Sequence, residues 1–110
     1  MAYDEELADR IRFIIGMDAD VVEKKMFGGL AFLARGHMAV AASGQGGLLA
    51  RVDPAETAAL LAEAGVARME MGGRSMDGWL RVEASVVEDD VHLRRWVERG
   101  LGYARSLPPK

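Results

Sequence analysis

The sequence of 110 residues contains no cysteine and only two histidines, His37 and His92. Without cysteine the chain can form no disulfide bond and has no thiolate nucleophile. Two histidines are too few for a histidine-rich metal centre. No serine lies in a G-x-S-x-G motif, and no dinucleotide-binding or calcium-binding motif is present. We therefore expect no catalytic residue, no metal and no cofactor, and we predict that the chain is not an enzyme.

Positive charge and long apolar runs are also scarce. The formal net charge is -3, which argues against a large surface for neutralising phosphates. The apolar runs at 30–34 and 38–42 fall far short of the roughly 18 residues that a membrane-spanning helix needs. Residues 4–6 are acidic, whereas a signal peptide begins with basic residues. We expect a cytoplasmic protein with no membrane contact.

Glycine and methionine, in contrast, are frequent, with 13 and seven residues respectively. The glycines cluster, which is typical of turns between short strands. Most methionines fall at predicted strand positions (26, 38, 69 and 71), where they are more typical of a core than of a binding surface, and Met76 lies in a glycine-bounded loop. The length suits one domain, which we assign to residues 1–107, followed by a short tail at 108–110.

Hydrophobic periodicity and turn signals predict elements in the order α-β-β-β-β-α-β-β-α. Arg35 and Gly36 form the clearest hairpin turn, between two apolar runs. Helices are predicted at about 4–15, from Pro54 to about Ala64 and from Asp89 or Asp90 onward; strands are predicted at 21–27, 30–34, 37–42, 48–52, 66–71 and 79–83.

Strands joined by short turns pair antiparallel. The predicted fold class is therefore two-layer α+β, an antiparallel sheet of five to six strands with helices packed on one face. Alternation within 66–71 directs Ala67, Met69 and Met71 towards the core. The opposite face is expected to carry charges of both signs and one aromatic residue, namely Arg51, Arg68, Glu70, Trp79, Arg81 and Glu83.

The loop Gly44–Gly47 contains three glycines, whose backbone could cradle an anion. Such loops usually lead into a helix and supply a lysine. Here strands are predicted on both sides and no lysine is near, so a hairpin turn is the favoured interpretation.

The predicted last helix contains the densest basic region, which includes Arg94, Arg95 and Arg99. Positively charged side chains near a helix C-terminus stabilise the helix through its dipole even when no ligand is bound. A solvent-exposed helix face is therefore one interpretation of these arginines. Weak nucleic-acid binding through these arginines is the other. Direct nucleic-acid binding is left open by the sequence.

Candidates for partner binding combine charge, aromatic area and neighbouring glycines. Two lysines, a methionine and a phenylalanine precede Gly28 and Gly29 at the entrance to the hairpin, and a glycine-bounded loop precedes a tryptophan. The predicted partner-binding residues are Lys24, Lys25, Phe27, Arg74, Met76 and Trp79.

Four stretches resemble the N-terminal domain of the TfoX/Sxy family: K-K-M-F-G-G-L-A-F at 24–32, R-G-H-M at 35–38, G-R-S-M-D-G-W at 73–79, and the closing W-V at 96–97 with A-R-S-L-P-P-K at 104–110. The resemblance implies an α+β fold, a cytoplasmic bacterial setting and, in the two-domain members, regulation of natural competence by helping a transcription activator. Those members carry a second, helical domain, so we expect this chain to be a stand-alone N-terminal domain. The resemblance implies no catalytic residues.

We therefore expect a non-enzymatic regulatory module that acts through protein–protein contacts in transcription-linked regulation. Weak nucleic-acid binding through the last helix and small-molecule binding in a deep pocket are the alternatives. The expected partner is a protein, and an open sheet face or uncovered edge strand would also allow a homodimer.

Overall fold

The helices and strands follow most of the sequence signals. A computed structural model of the chain describes residues 3–26, 28–71 and 73–109, with Met71 described for its backbone only. The elements within these residues are α1 (Glu5–Ile15), β1 (Val21–Met26), β2 (Gly29–Ala34), β3 (His37–Ala42), β4 (Leu48–Arg51), a 3₁₀ turn (Pro54–Glu56), α2 (Thr57–Leu60), β5 (Val66–Met71), β6 (Arg74–Val82), α3 (Ala84–Val87) and α4 (Asp90–Ser106). The predicted α+β class is confirmed.

The strands described form one antiparallel sheet with the order β1-β2-β3-β4-β6-β5. The β2–β3 hairpin turns at Arg35 and Gly36, whose φ angles of 54° and 89° are both positive, as a type I′ turn requires. β6 pairs with β4, so the β5–β6 hairpin continues the sheet and places β5 at its edge. β1 lies at the opposite edge.

The two long helices begin at aspartates that cap their free backbone N–H groups. Asp4 Oδ1 accepts hydrogen bonds from the N–H groups of Glu6 and Leu7 at 3.0 and 3.2 Å. Asp89 Oδ1 accepts from Val91 and His92 at 2.8 and 3.2 Å. These bonds satisfy donors that have no partner inside the helix, and they set where α1 and α4 start.

The main hydrophobic core lies between the helices and one face of the sheet. Ile11 of α1, Phe32 of β2, Leu80 of β6 and Trp96 of α4 are all at most 1% exposed there. α4 lies close to β3 because Gly100 has no side chain: a Cβ at this position would lie 2.4 Å from the carbonyl oxygen of Ala39. The helices therefore cover one face, as predicted.

Three details differ from the prediction. β6 begins at Arg74 rather than at 79, because residues of the glycine-bounded loop pair with β5 and so form ladder hydrogen bonds. α2 ends at Leu60, and the single-turn helix α3 was not predicted. None of the described helices is both long and apolar enough to cross a membrane.

Candidate functional site

A second hydrophobic cluster lies on the sheet face turned away from the main core. Its buried members are Ala31, Met38, Ala41, Leu49 and Met69, and the partly buried Met26, Leu33 and Trp79 pack against it. In the part of the chain that the structure describes, every residue of this cluster comes from a strand, whereas the buried apolar residues of the helices all belong to the main core. We call this side of the sheet the second face.

The charged residues that the strand register places on the second face are basic. Cross-strand partners point to the same side of a sheet. Lys24 pairs with Ala31, Arg81 pairs with Leu49, and Arg51 pairs with Trp79. Among the described residues, none of these three cations has a carboxylate oxygen within 4.0 Å. The second face thus combines apolar area with uncompensated positive charge.

Trp79 is the largest side chain on this face, and it is held in contact with Arg51. The guanidinium carbon of Arg51 lies 4.8 Å from the centre of the Trp79 ring and 5.6 Å from the ring of Tyr103 in α4. Both distances are within the range of cation–π attraction. Stacking on the two rings restricts the guanidinium, whose charge is not paired with any described carboxylate.

A bulge in the β5–β6 hairpin determines where Trp79 lies. The register shifts between Arg68, which faces Leu80, and Met69, which faces Met76. The N–H of Gly78, within the extra β6 residues, donates to Oγ1 of the buried Thr57 at 2.8 Å. Its carbonyl accepts from the N–H of Val52 at 2.9 Å. These two bonds fix the backbone next to Trp79.

The predicted partner-binding residues are only partly brought together. Lys24 and Trp79 lie on the second face, and Met76 is half-buried opposite Met69, which belongs to the second cluster. Arg74 is exposed at the end of the β5–β6 hairpin. Phe27 lies outside the described residues.

Lys25 lies on the other side of the sheet. It pairs with Leu30, a residue of the main core. Glu23, two residues before Lys25 in β1, lies on the same side of the sheet and binds Arg12 of α1. Lys25 is therefore on the face that the helices cover. Lys24 and Lys25 are both exposed, so they form a chemically matched pair that points to opposite faces.

The prediction for β5 is wrong in part. Met69 is buried, but in the second cluster and not in the main core, and Ala67 on the same side is exposed. Arg68, expected opposite the core, pairs with Leu80 on the main-core side and binds Asp77 at 2.8 Å. Alternation correctly grouped these residues by face, but it did not identify which face the helices cover.

The basic residues of α4 do not form one stripe. Arg94 and Arg95 are exposed, but Arg99 is half-buried, with its guanidinium carbon 4.5 Å from the centre of the Trp96 ring. Arg105 binds the carboxylates of Asp18 and Asp20 in the α1–β1 connection. Within the described residues, Arg105 forms ion pairs and Arg99 a cation–π contact, whereas neither kind of contact is found for Arg94 or Arg95.

The shifted pKa values occur at ion pairs and at a helix cap. Hydrogen bonds from Arg12 to the carboxylate of Glu23, at 2.6 and 2.9 Å, lower the pKa of Glu23. Hydrogen bonds from the N–H groups of His92 and Val91 lower the pKa of Asp89. The pKa of Asp20 is lowered by its hydrogen bond with Asp18 and then by the one from Arg105. Structural contacts account for each of these shifts.

A groove between α1 and α4 is a further surface feature, with a volume of about 430 Å³. Phe13, which is 82% exposed, forms part of its apolar wall. Its charged residues have both signs, and Arg10 donates to Asp90 at 2.7 Å. Within the described residues, no group of three or more histidine, aspartate or glutamate side chains is arranged to hold a metal ion.

Sequence reasoning did not single out Leu33 and Leu49 as members of a binding face. A signal for them was present, because residues 30–34 and 48–50 are apolar at successive positions rather than alternating. Such continuous runs indicate strands that are buried on both faces. The sequence thus indicated apolar side chains on both faces of these strands, although it indicated neither the cluster that they form nor its basic border.

The sequence and fold agree with a comparison against protein families. The family model of the TfoX N-terminal domain matches residues 17–104, a span that begins just after α1 and ends in the last turn of α4. Neither the curated proteins nor the solved structures contain a match. Because the family model covers most of the 110 residues, this chain belongs to the TfoX N-terminal domain family.

Proposed function

We propose that this chain is a non-enzymatic regulatory module that binds a protein partner through the second face of its sheet. The observation that carries the proposal is the second cluster, which is built from strand side chains alone and is bordered by Lys24, Arg51 and Trp79. Tryptophan and arginine are enriched among residues that dominate binding energy at protein interfaces.

The charge on this face supports a partner with an acidic surface. The whole chain has a formal net charge of -3, yet Lys24, Arg51 and Arg81 are unpaired on the second face among the described residues. Unpaired cations bordering an apolar surface favour an acidic partner and disfavour a basic one. Membership of the TfoX N-terminal domain family supports a transcription-linked setting as part of this proposal.

The test compares Lys24→Glu with Lys25→Glu. The two exposed neighbours lose the same chemical group, and both variants change the net charge equally, but only Lys24 lies on the second face. We expect the wild type and Lys25→Glu to capture the same protein from a host lysate, and Lys24→Glu to capture at least about tenfold less, because a like charge now opposes an acidic partner. Quantitative mass spectrometry of the captured material provides the measurement.

A Trp79→Ala variant tests the apolar part of the same face. It should also lose the captured protein while keeping a cooperative unfolding transition, which circular dichroism would monitor. Equal capture by all four proteins, or a loss in Lys25→Glu as large as in Lys24→Glu, would refute the proposal. Light scattering of the purified chain would show whether the partner is a second copy.

Weak nucleic-acid binding through α4 is the second candidate, supported by the exposure of Arg94 and Arg95. Binding of this kind depends on neutralised phosphates and falls steeply as salt is added. A double variant, Arg94→Gln with Arg95→Gln, should abolish any binding to a DNA duplex at low salt. If the wild type binds no DNA at low salt, this candidate is eliminated.

A further inference from the structure

We propose that an oxyanion, a phosphate or a carboxylate, binds at the end of the sheet where the β3–β4 turn faces the start of α3. A cavity of about 460 Å³ lies there, and its polar or flexible lining comes from Gln45, Gly46, Gly47, Arg81, Glu83 and Ser85. This volume is within the range of small-molecule sites in proteins.

Arg81 is the residue that gives the cavity its preference for an anion. Its guanidinium Nη1 donates to the hydroxyl of Ser43 at 3.0 Å. That hydroxyl also accepts from the N–H of Gln45 at 3.1 Å, and Ser43 is buried, so the arginine is held by a neutral partner. A guanidinium has five N–H donors. A single neutral oxygen leaves most of these donors and the whole charge uncompensated.

Glu83 lines the same cavity but does not neutralise Arg81. Its Oε2 lies 3.1 Å from the position that a Cβ of Gly65 would occupy, so the carboxylate is directed towards Gly65. No ion pair joins Arg81 to Glu83 within 4.0 Å, nor to any other carboxylate in the described residues. An incoming anion would therefore meet a half-buried, unpaired guanidinium.

The glycine loop forms the opposite wall because its backbone lies directly against the end of β6. Gly47 has a φ angle of 75°, and a Cβ at this position would lie 2.5 Å from the carbonyl oxygen of Val82. The loop is the hairpin turn that the sequence predicted. No lysine lies near this loop in the sequence. The positive charge comes instead from Arg81 of β6, the strand that the sheet order places next to β4.

The ligand chemistry follows from the guanidinium. Its planar fork of N–H donors matches two oxygens of a phosphate or carboxylate, and such charge-assisted pairs are stronger than neutral hydrogen bonds. Ser85 is exposed at the cavity and its hydroxyl can act as a further donor. Neither the site nor its test depends on the proposed protein partner.

The experiment is an NMR titration of the wild-type chain with inorganic phosphate, and in parallel with acetate, at constant pH and ionic strength. We expect amide shifts of Gly46, Gly47 and Ser85 that saturate in the millimolar range. Arg81→Gln should weaken binding by at least about tenfold, because it removes the charge-assisted bonds. Arg35→Gln removes the same charge from the exposed β2–β3 turn, at the opposite end of the sheet, and should bind as the wild type does.

A second variant keeps the test decisive if Arg81→Gln fails to fold. Ser85→Glu places a carboxylate at the cavity and should repel the anion while leaving the unfolding transition intact. Saturation with phosphate alone identifies a phosphate site, and saturation with acetate alone identifies a carboxylate site. The proposal is overturned if neither anion saturates, if Arg35→Gln weakens binding as much as Arg81→Gln does, or if Ser85→Glu binds the anion as the wild type does.

Discussion

Arg51 in β4 lies with its guanidinium carbon 4.8 Å from the ring centre of Trp79, its cross-strand partner in β6. The same guanidinium approaches the ring of Tyr103 in α4 at 5.6 Å. This contact connects the second face of the sheet to the longest helix. It restrains the tryptophan that the proposed function places at the border of the second cluster.

The Arg51–Trp79 contact is testable as a double-mutant cycle. For Arg51→Met, Trp79→Leu and the double variant, we expect a favourable coupling of about 0.5–1 kcal/mol, the range of partly exposed cation–π pairs. Urea unfolding of the four proteins measures it. If the two single effects add within about 0.3 kcal/mol, the stacking contributes no stability.

The two glycines of α4 should respond to alanine with opposite signs. Gly100→Ala forces a Cβ to 2.4 Å from the Ala39 carbonyl, so we expect a loss of about 1–3 kcal/mol from overpacking. Gly102→Ala meets nothing within 4 Å and should gain up to about 1 kcal/mol, because alanine favours the helix. Thermal or urea unfolding measures both. Equal effects would contradict the close approach of α4 to β3.

The buried hydroxyl of Thr57 should be necessary for the local structure next to Trp79. Thr57→Val leaves the N–H of Gly78 without its acceptor, which we expect to cost about 1–3 kcal/mol of unfolding free energy. Thr57→Ser keeps the hydroxyl and should lose less. A Thr57→Val variant that is as stable as Thr57→Ser would show that the bond is dispensable.

The Glu23–Arg12 pair should contribute to stability in a pH-dependent way. The hydrogen bonds from Arg12 hold the pKa of Glu23 below its ordinary value of 4.5, so the folded state binds fewer protons than the unfolded state near that pH. The stabilisation is therefore present above about pH 4.5 and is lost as the pH falls through the lowered pKa.

Glu23→Gln should accordingly lower the unfolding free energy by about 0.5–1 kcal/mol at pH 7, as expected for a largely exposed ion pair. The difference from the wild type should disappear in acid. Urea unfolding from pH 7 down to pH 3 measures it, with Glu70→Gln as the control because Glu70 is exposed and has no ion pair among the described residues. A difference that is constant with pH would exclude the electrostatic explanation.

Local signals predicted most elements well. Asp4 and Asp89 cap helices at the positions that their residue type favours, and Arg35–Gly36 forms the hairpin turn that its glycine indicated. These features depend on contacts between residues a few positions apart, which a sequence pattern records directly. The early start of β6 could not be seen this way, because its first residues are held by pairing with β5 rather than by their own propensity.

The candidate sites depended more heavily on contacts between distant residues. Lys24 and Lys25 looked equivalent in sequence, and only the register with Ala31 and Leu30 separated them onto two faces. Arg81 lies far along the chain from the Gly44–Gly47 loop, and it reaches Ser43 because β6 crosses to pair with β4. Alternation of apolar and polar residues along a strand shows which residues share a face. It carries no information about which face the helices cover.

The sequence by itself determined the α+β class, the order of the six strands and of α1, α2 and α4, the absence of a thiol and the family resemblance, because these follow from composition, local periodicity and short motifs. Only the tertiary structure decided that a second, strand-built cluster exists beside cations that have no ion pair among the described residues, and that Arg51, Trp79 and Tyr103 meet. The physical reason is that burial and charge pairing depend on which strands and helices become neighbours in space. The order β4-β6-β5, and not the nearness of residues along the chain, set those neighbours.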